Sequence, residues 1–415
     1  MQQVLTGWRG RMQALGPGIL MATAAIGGSH LVASTQAGAL FGWQLLWLIL
    51  LVNILKYPFF RFGVQYTLEQ NESLLEGYQR KGKAYFYSFV VLNVVAAVVN
   101  TAGVLILTAA LLQHALPWSL SIAALCWLIL AACLFILLLG HYRALDKVAK
   151  LIMLLLTVAT VAAAIIAAKN GAMAPADFVG QSPWQLAMLG FLVALMGWMP
   201  APIEISAISS LWLKAKQRRQ AVTREQGLFD FNLGYWVTAA LALVFVSLGA
   251  LVQYGSEQQI ALAGAAFAQQ LVNMYGSTIG DWAKPLVSLI AFLCMFGTTI
   301  TVLDGYARSL NESGRLLGWY PADNRFSLNG WLLLQALSGM AVILFFRSAI
   351  GPMLTFAMTL AFLTTPVFAW LNFSLMRGSH KPALSKGLTI LSWLGLSYLV
   401  GFALLFLAWY LGLLN

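Results

Sequence analysis

Apolar residues in this chain come in long blocks, separated by short polar connections that carry much of its Lys and Arg. Eleven blocks are recognisable, at about 16–41, 43–67, 84–113, 119–140, 148–168, 185–212, 228–253, 283–308, 327–346, 350–376 and 387–411. A helix needs about 20 apolar residues to cross a hydrocarbon core of roughly 30 Å, and each block is about that long or longer. No polar stretch is left for a separate soluble domain. The pattern predicts one all-α polytopic membrane domain over residues 1–415, with eleven transmembrane helices.

Two blocks are interrupted near their centres. The first reads Ala24-Ala25-Ile26-Gly27-Gly28-Ser29-His30, and the sixth reads Met196-Gly197-Trp198-Met199-Pro200-Ala201-Pro202-Ile203-Glu204. Backbone groups freed at that depth cost several kcal/mol unless protein, ions or water satisfy them. Paired interruptions in corresponding halves point to a transporter binding site. Helices 1 and 6 are therefore expected to be discontinuous. Residues 16–168 hold five blocks and residues 185–376 another five, each set beginning with an interrupted helix. Because five is odd, the two sets enter the membrane from opposite sides, as a 5+5 inverted repeat requires. Block 387–411 is an additional helix outside the repeat. Similarity between the halves is faint at residue level: Gly16-Pro17-Gly18-Ile19-Leu20 loosely matches Leu189-Gly190-Phe191-Leu192.

Composition agrees with this class: 60% hydrophobic residues and 9% charged exclude an ordinary soluble globule. Most basic residues fall on the N-terminus or in alternate connections, such as Arg80 to Lys83, Lys214 to Arg224 and Arg308 to Arg325. Lys56 and Arg61 lie toward the same end of the second span. Lys169, Lys284 and Arg347 fall on the other side. The positive-inside rule then places the N-terminus in the cytoplasm and the C-terminus outside, in a cytoplasmic (inner) membrane. The first apolar run is too long for a signal-peptide core and lacks a convincing small-residue cleavage site. The net charge of +11 follows from this topology, so no nucleic-acid partner is needed to explain it. The basic run from Lys214 to Arg219 reads as a topology anchor facing anionic lipid. The stretch from about Gln253 to Trp282, with Glu257 and Asp281, is expected to contain an amphipathic surface helix. Cys126, Cys133 and Cys294 lie in apolar helices as small hydrophobes, without metal-type spacing.

Ionisable residues inside spans are functional candidates, because lipid penalises them. His30 follows the first interruption, and Glu204 lies four residues beyond Pro200. For Glu204, a coupling-proton or cation role stands beside that of a buried, protonated, hydrogen-bonded carboxyl. For His30, substrate contact or protonation stands beside a packed histidine bonding the freed backbone. Asp304 precedes Arg308 by four residues and reads as an interfacial ion pair, and Asp230 beside the basic loop also reads as structural. Met196 and Met199 bracket the second interruption, where a thioether could meet a soft metal ion. Thr298, Thr299 and Thr301 form a hydroxyl cluster in the eighth span, suited to bonding neighbouring backbone or to helping coordinate a coupling ion such as sodium.

At these positions the chain resembles the Nramp (natural resistance-associated macrophage protein) family of metal-ion transporters, which have the LeuT-type (LeuT/APC-like) fold. The resemblance is carried by Gly16-Pro17-Gly18-Ile19-Leu20, Ala25-Ile26, Gln36-Ala37-Gly38-Ala39, Phe41-Gly42 and Leu45-Leu46-Trp47, and by Met199-Pro200 in the sixth helix. The family's first-helix signature Asp-Pro-Gly-Asn, whose Asp and Asn bind the metal, reads Gly27-Gly28-Ser29-His30 here. Met199 stands at the family's Met ligand, and Met196 at the small residue that offers a backbone carbonyl. The two sixth-helix His positions read Ala201 and Ser206. A hard ion would want carboxylates, and the site has exchanged them for a softer, largely neutral set.

The resemblance implies a cation-coupled secondary transporter working by alternating access, with a divalent metal ion as nominal cargo. Gly27, Gly28, Ser29, His30, Met196, Trp198, Met199 and Ala201 would form the substrate site. Met199, Met196 and His30 are the metal-ligand candidates, and His30, Glu204, Thr298, Thr299 and Thr301 the coupling candidates. The alternative is a Na⁺- or H⁺-coupled transporter of a small organic solute, such as an amino acid or amine. No enzyme constellation is present in the sequence, such as a His-Glu helix motif or paired intramembrane aspartates. No resident cofactor is expected beyond the transported or coupling cation. The expected partners are the lipid bilayer and the small substrate, with a monomer sufficient for transport.

Overall fold

The computed structural model describes residues 7–116, 120–175, 177–256, 264–321, 325–346, 350–378 and 384–414; Glu257 and Arg347 lie outside them. Regular structure among the described residues is entirely helical, the solution that lets each span satisfy its own backbone in hydrocarbon. A short helix α1 (Gly7–Ala14) leads into α2 (Pro17–Phe41) and α3 (Leu46–Gln70). The small helix α4 (Leu74–Lys81) precedes α5 (Lys83–Ala115). Helix α6 (Ile122–Asn170) carries two apolar stretches, Ile122–Leu139 and Ala149–Asn170. Residues 140–148 between them contain no Pro, and the single Gly140 is tolerated within a continuous helix. The second half comprises α7 (Leu189–Trp198), α8 (Ile205–Gln217), α9 (Arg224–Val252), α10 (Gly264–Ile279), α11 (Lys284–Leu316), α12 (Arg325–Phe345), α13 (Ile350–Gly378) and α14 (Lys386–Tyr410). Ten helical stretches of the described residues are long and apolar enough to cross a membrane. The short helices α7 and α8 share a further block. Helix α10 falls where an amphipathic helix is expected, burying Leu271, Val272, Met274 and Tyr275 along one side.

The two interruptions take different forms. The expected gap in the first helix is replaced by a change of winding: α2 stays helical, but widens to a π-type coil over Gly27–Ser34. Hydroxyl groups satisfy the loosened carbonyls, Ser34 donating to the Ser29 carbonyl at 3.1 Å and Thr35 to that of His30 at 3.4 Å. The sixth span does break. Pro200 and Pro202 have no N–H to donate; α7 stops at Trp198, Met199 is extended, and α8 starts again at Ile205.

Small residues set how closely the helices approach, as is common between membrane helices. A Cβ on Gly38 would lie 2.0 Å from the Val246 carbonyl oxygen, and one on Gly18 would lie 2.1 Å from that of Asp230. Helices α2 and α9 therefore touch backbone to backbone near both ends. The same contact joins α3 to α8 at Gly63, 2.4 Å from the Ser206 oxygen, and α7 to α13 at Gly197, 2.0 Å from that of Met358.

Charged side chains fasten the helix ends. The Asp230 carboxylate accepts from the Gly16 and Gly18 amides at 3.0 and 2.7 Å, countering the positive N-terminus of α2. The basic run at the end of α8 is more than a lipid-facing anchor: buried Lys216 donates to the Ala14 and Leu15 carbonyls, and Lys214 to that of Asn71. The Asp304–Arg308 pair forms at 2.7 Å, with the Trp212 indole donating to the same carboxylate oxygen.

Glu76 closes a capping box with Ser73 at the start of α4 and pairs with Arg315 at 3.0 Å. Partial burial opposes its ionisation, but the Ser73 amide, Lys214 and Arg315 outweigh this and hold its carboxyl below the ordinary value. Its ionised form thus favours the folded state above the ordinary carboxylate pKa. That contribution fades as pH falls through the lowered folded value. Thermal melting of E76Q in detergent should show a lower midpoint than the parent at neutral pH, with the gap closing toward strongly acidic pH. At the α2–α9 contact, G38A should lower the melting midpoint by an overpacking cost of about 1–3 kcal/mol. G401A, inside α14 where a Cβ meets nothing within 4 Å, should not lower it.

Candidate functional site

The two interruptions meet. The Ser29 hydroxyl lies 3.1 Å from the Pro200 carbonyl oxygen, a hydrogen-bonding contact between the widened turn of α2 and the gap between α7 and α8. One residue earlier the Trp198 ring covers Gly28, and a Cβ there would lie 2.2 Å from the ring. Gly27 lies against Met295 and Thr298 of α11, again with no room for a side chain. A small cavity of about 30 Å³ lies at this junction, lined by Gly28, Ser29, Asn100, Trp198, Ala201, Thr298 and Tyr306 among others. That is room for one or two water-sized species.

A polar chain crosses one side of the junction. The Trp198 indole donates to Asn100 Oδ1 at 3.2 Å, and Asn100 Nδ2 donates to the Tyr306 hydroxyl at 2.7 Å. Tyr306 in turn donates to Glu204 Oε1 at 2.9 Å, which Asn100 also reaches at 3.4 Å. Glu204 is buried, and its other carboxylate oxygen, Oε2, has no hydrogen-bond partner. The carboxylate is therefore held on one side and unsatisfied on the other.

The structure brings Gly28, Ser29, Trp198, Ala201 and Thr298 together around the cavity, while the other expected ligands have different partners. His30 is fully buried and turned to α9, where Nε2 is 2.7 Å from the Thr238 carbonyl and the ring meets Phe245 edge-on. A carbonyl only accepts, so Nε2 carries the proton and Nδ1 faces the Ser29 hydroxyl, whose single proton is shared among Nδ1 and the Ala25 and Pro200 carbonyls. The Met196 thioether accepts from the Tyr398 hydroxyl of α14 at 2.7 Å. Met199 is buried beside Pro200. Thr298 donates to the Thr23 carbonyl, Thr299 shares a hydroxyl bond with Thr108, and Thr301 donates within its own helix. His30 and Met196 thus each have a polar partner away from the cavity. Among the described residues no cluster of three or more His, Cys, Asp or Glu side chains is placed to hold a metal ion.

Three residues essential to this arrangement were not candidates from the sequence. Asn100 and Tyr306 are uncharged and gave no signal in an apolar span. Lys56 did give one, as a charge well inside α3, but it reads as a topological charge. It is fully buried, and its ammonium group donates to the Met196 and Gly197 carbonyls at 2.6 and 3.2 Å. A second, larger cavity of about 740 Å³ lies between the polar ends of α8 and α11, lined by Lys214, Arg218, Arg308 and Arg315 with Glu76 and Glu312.

Comparison with known proteins agrees with this architecture. Residues 18–409 match the family described as natural resistance-associated macrophage protein-like. An uncharacterized protein of Pasteurella multocida (strain Pm70) is 55% identical over 413 residues, covering 98% of this chain and 95% of that protein. The fold is similar to crystal structures of the Eremococcus coleocola manganese transporter. With one point mutant of that transporter the TM-score is 0.70 at 14% identity, over 97% of this chain and 88% of that one. It is also similar to MHP1, a nucleobase-cation-symport-1 family transporter solved with bromovinylhydantoin bound, with a TM-score of 0.58 at 12% identity over 88% of this chain and 79% of that one. With the family match running through almost all of its spans, the chain belongs to the natural resistance-associated macrophage protein-like (Nramp) family, on a LeuT-type fold.

Proposed function

We propose that this protein is a secondary transporter that passes a small cargo through the junction of α2 with the α7–α8 gap. The observation that carries this reading is the contact of Ser29 with Pro200, which brings two independent interruptions together over one cavity. Backbone irregularity deep in a membrane domain is tolerated where protein buries it or a cavity takes it up, and here both occur. Family membership and the fold shared with a manganese transporter make a divalent metal ion the nominal cargo.

Close packing suggests how alternating access would work. Helices α2 and α9 are fixed to each other through Gly18 and Gly38, and α3 is fixed to α8 through Gly63. These pairs would rock as a unit against α5, α11 and α13. Helix α7 is seated tightly on α13, whereas the larger cavity separates the far end of α8 from α11. That is the asymmetry of a carrier closed on one side and open on the other. The basic residues around the larger cavity support a cytoplasmic location for that end, with the N-terminus inside and the C-terminus outside. Glu204, with one free carboxylate oxygen beside the junction, is the coupling candidate. All of this machinery lies within one chain, so a monomer suffices.

One observation favours a second reading, transport of a small organic solute. The cavity lining carries hydroxyl, amide, indole and phenol groups and no carboxylate. Such a lining suits a neutral or zwitterionic solute better than a hard divalent ion.

Uptake into proteoliposomes separates the two. Mn²⁺, Fe²⁺ or Mg²⁺ should be taken up and should raise the thermal midpoint of the purified protein. If no metal does either, while an amino acid or amine both stabilises the protein and is carried, the metal reading is lost. In G28A the added Cβ displaces the Trp198 ring, at a cost of about 1–3 kcal/mol in the closed junction. The melting midpoint should fall as in G38A, and transport at a temperature where G28A is still folded should slow roughly tenfold or more. Unchanged transport in G28A would remove the Gly28–Trp198 contact from the pathway.

A further inference from the structure

Helix α7 ends in the middle of the domain, and the last carbonyls of a helix lack partners within it. Those of Met196 and Gly197 point at one group, the Lys56 ammonium, at 2.6 and 3.2 Å. The C-terminal end of a helix also carries a partial negative charge of about half an electron. Glu204, at the start of α8 on the other side of the break, is buried and keeps one carboxylate oxygen without a partner. Two converging carbonyls at a helix C-terminus, with a buried carboxylate across the break, are the parts of a site for a hard cation, which takes oxygen ligands. In this protein the cation is covalently attached to α3.

We propose that Lys56 is a tethered cation that fills an alkali-metal-ion site at the break in the sixth span, so that the protein needs no exchangeable ion there. The charge balance is one for one. The half positive charge of the α8 N-terminus offsets the half negative charge of the α7 C-terminus, so the one carboxylate charge that remains is matched by a single ammonium group, as by one Na⁺. An ammonium has three N–H donors, and two are used on the carbonyls. A divalent ion placed there would leave an excess positive charge in a region with little water to screen it. The inference also bears on cargo, because the Met196 carbonyl is the one that the family resemblance implies as a metal ligand. Lys56 already occupies it. The tether holds α3 against α7 as well, so the break keeps its shape whether or not ions are present. None of this depends on which cargo the neighbouring cavity carries.

The test is a gain of ion dependence. K56A removes the charge and leaves room beside the two carbonyls. Full-length K56A, purified in detergent, should melt well below the parent in choline chloride. Na⁺ at equal ionic strength and pH should raise its midpoint by several degrees, as expected when an ion binds only the folded state. The parent should melt alike in the two salts. K56M fills the space without charge and should not respond to Na⁺. K56A/E204Q removes both charges and should need no ion. If K56A is recovered from membranes only when Na⁺ or K⁺ is present, that is the same rescue in another form. The proposal is overturned if folded K56A ignores Na⁺, Li⁺ and K⁺ alike, or if K56A/E204Q retains the full Na⁺ response. It is also overturned if the parent responds as strongly as K56A. Failure of K56A to fold in any of these ions, while K56A/E204Q folds without them, would likewise sink it.

Discussion

Carbonyl groups released in the middle of a membrane span have little water to bond, and the centre of this protein is organised around that constraint. Two prolines force the sixth span to stop and restart. The stranded carbonyls are then met from two directions. Lys56 of α3 takes those of Met196 and Gly197, and Ser29 of α2 reaches that of Pro200. Each bond ties a different helix to the break. In a low-dielectric interior such bonds are electrostatically strong, and a missing partner is costly. The position of three helices around the cavity follows from satisfying a few backbone oxygens.

The same constraint governs the first helix. Its Gly-Gly pair removes side chains where Trp198, Met295 and Thr298 press against it. The coil loosens there without parting, because Ser34 and Thr35 bond the carbonyls that the wider turn exposes. One interrupted helix is thus rewound but continuous, and the other is divided. The asymmetry has a chemical origin. Glycine permits a change of winding while keeping its N–H, whereas proline removes the donor altogether.

Charge in this domain holds helix ends as well as forming ion pairs across helices. Asp230 holds the start of α2, Lys216 the end of α1, and Lys56 the end of α7. For a carrier this has a mechanical meaning. Bonds from a charged side chain to a helix terminus fix where that terminus sits, and backbone-to-backbone glycine contacts fix which helices move together. Between them, α2 is held to α9 and α3 to α8 at backbone contact.

Local chemistry made much of this legible in the sequence. Runs of apolar residues mark membrane helices because hydrocarbon demands them, and Pro200, Pro202 and the Gly27-Gly28 pair mark interruptions because their backbones behave differently wherever they stand. The Asp304–Arg308 pair was readable because helix geometry alone places residues four apart on one face. The centre was not readable in the same way. Lys56 meets residue 196 across 140 positions, and Tyr306 meets residue 204 across 102. His30, Met196 and Met199 looked like a ligand set because they flank the interruptions. Folding instead gave His30 to Thr238 and the Met196 sulfur to Tyr398. Which way a side chain points depends on what packs beside it, and in a bundle of long helices those neighbours come from distant parts of the chain. Hydrophobic length and backbone type set the spans and the breaks; only the tertiary packing decided that the cation at the sixth-span break is a lysine.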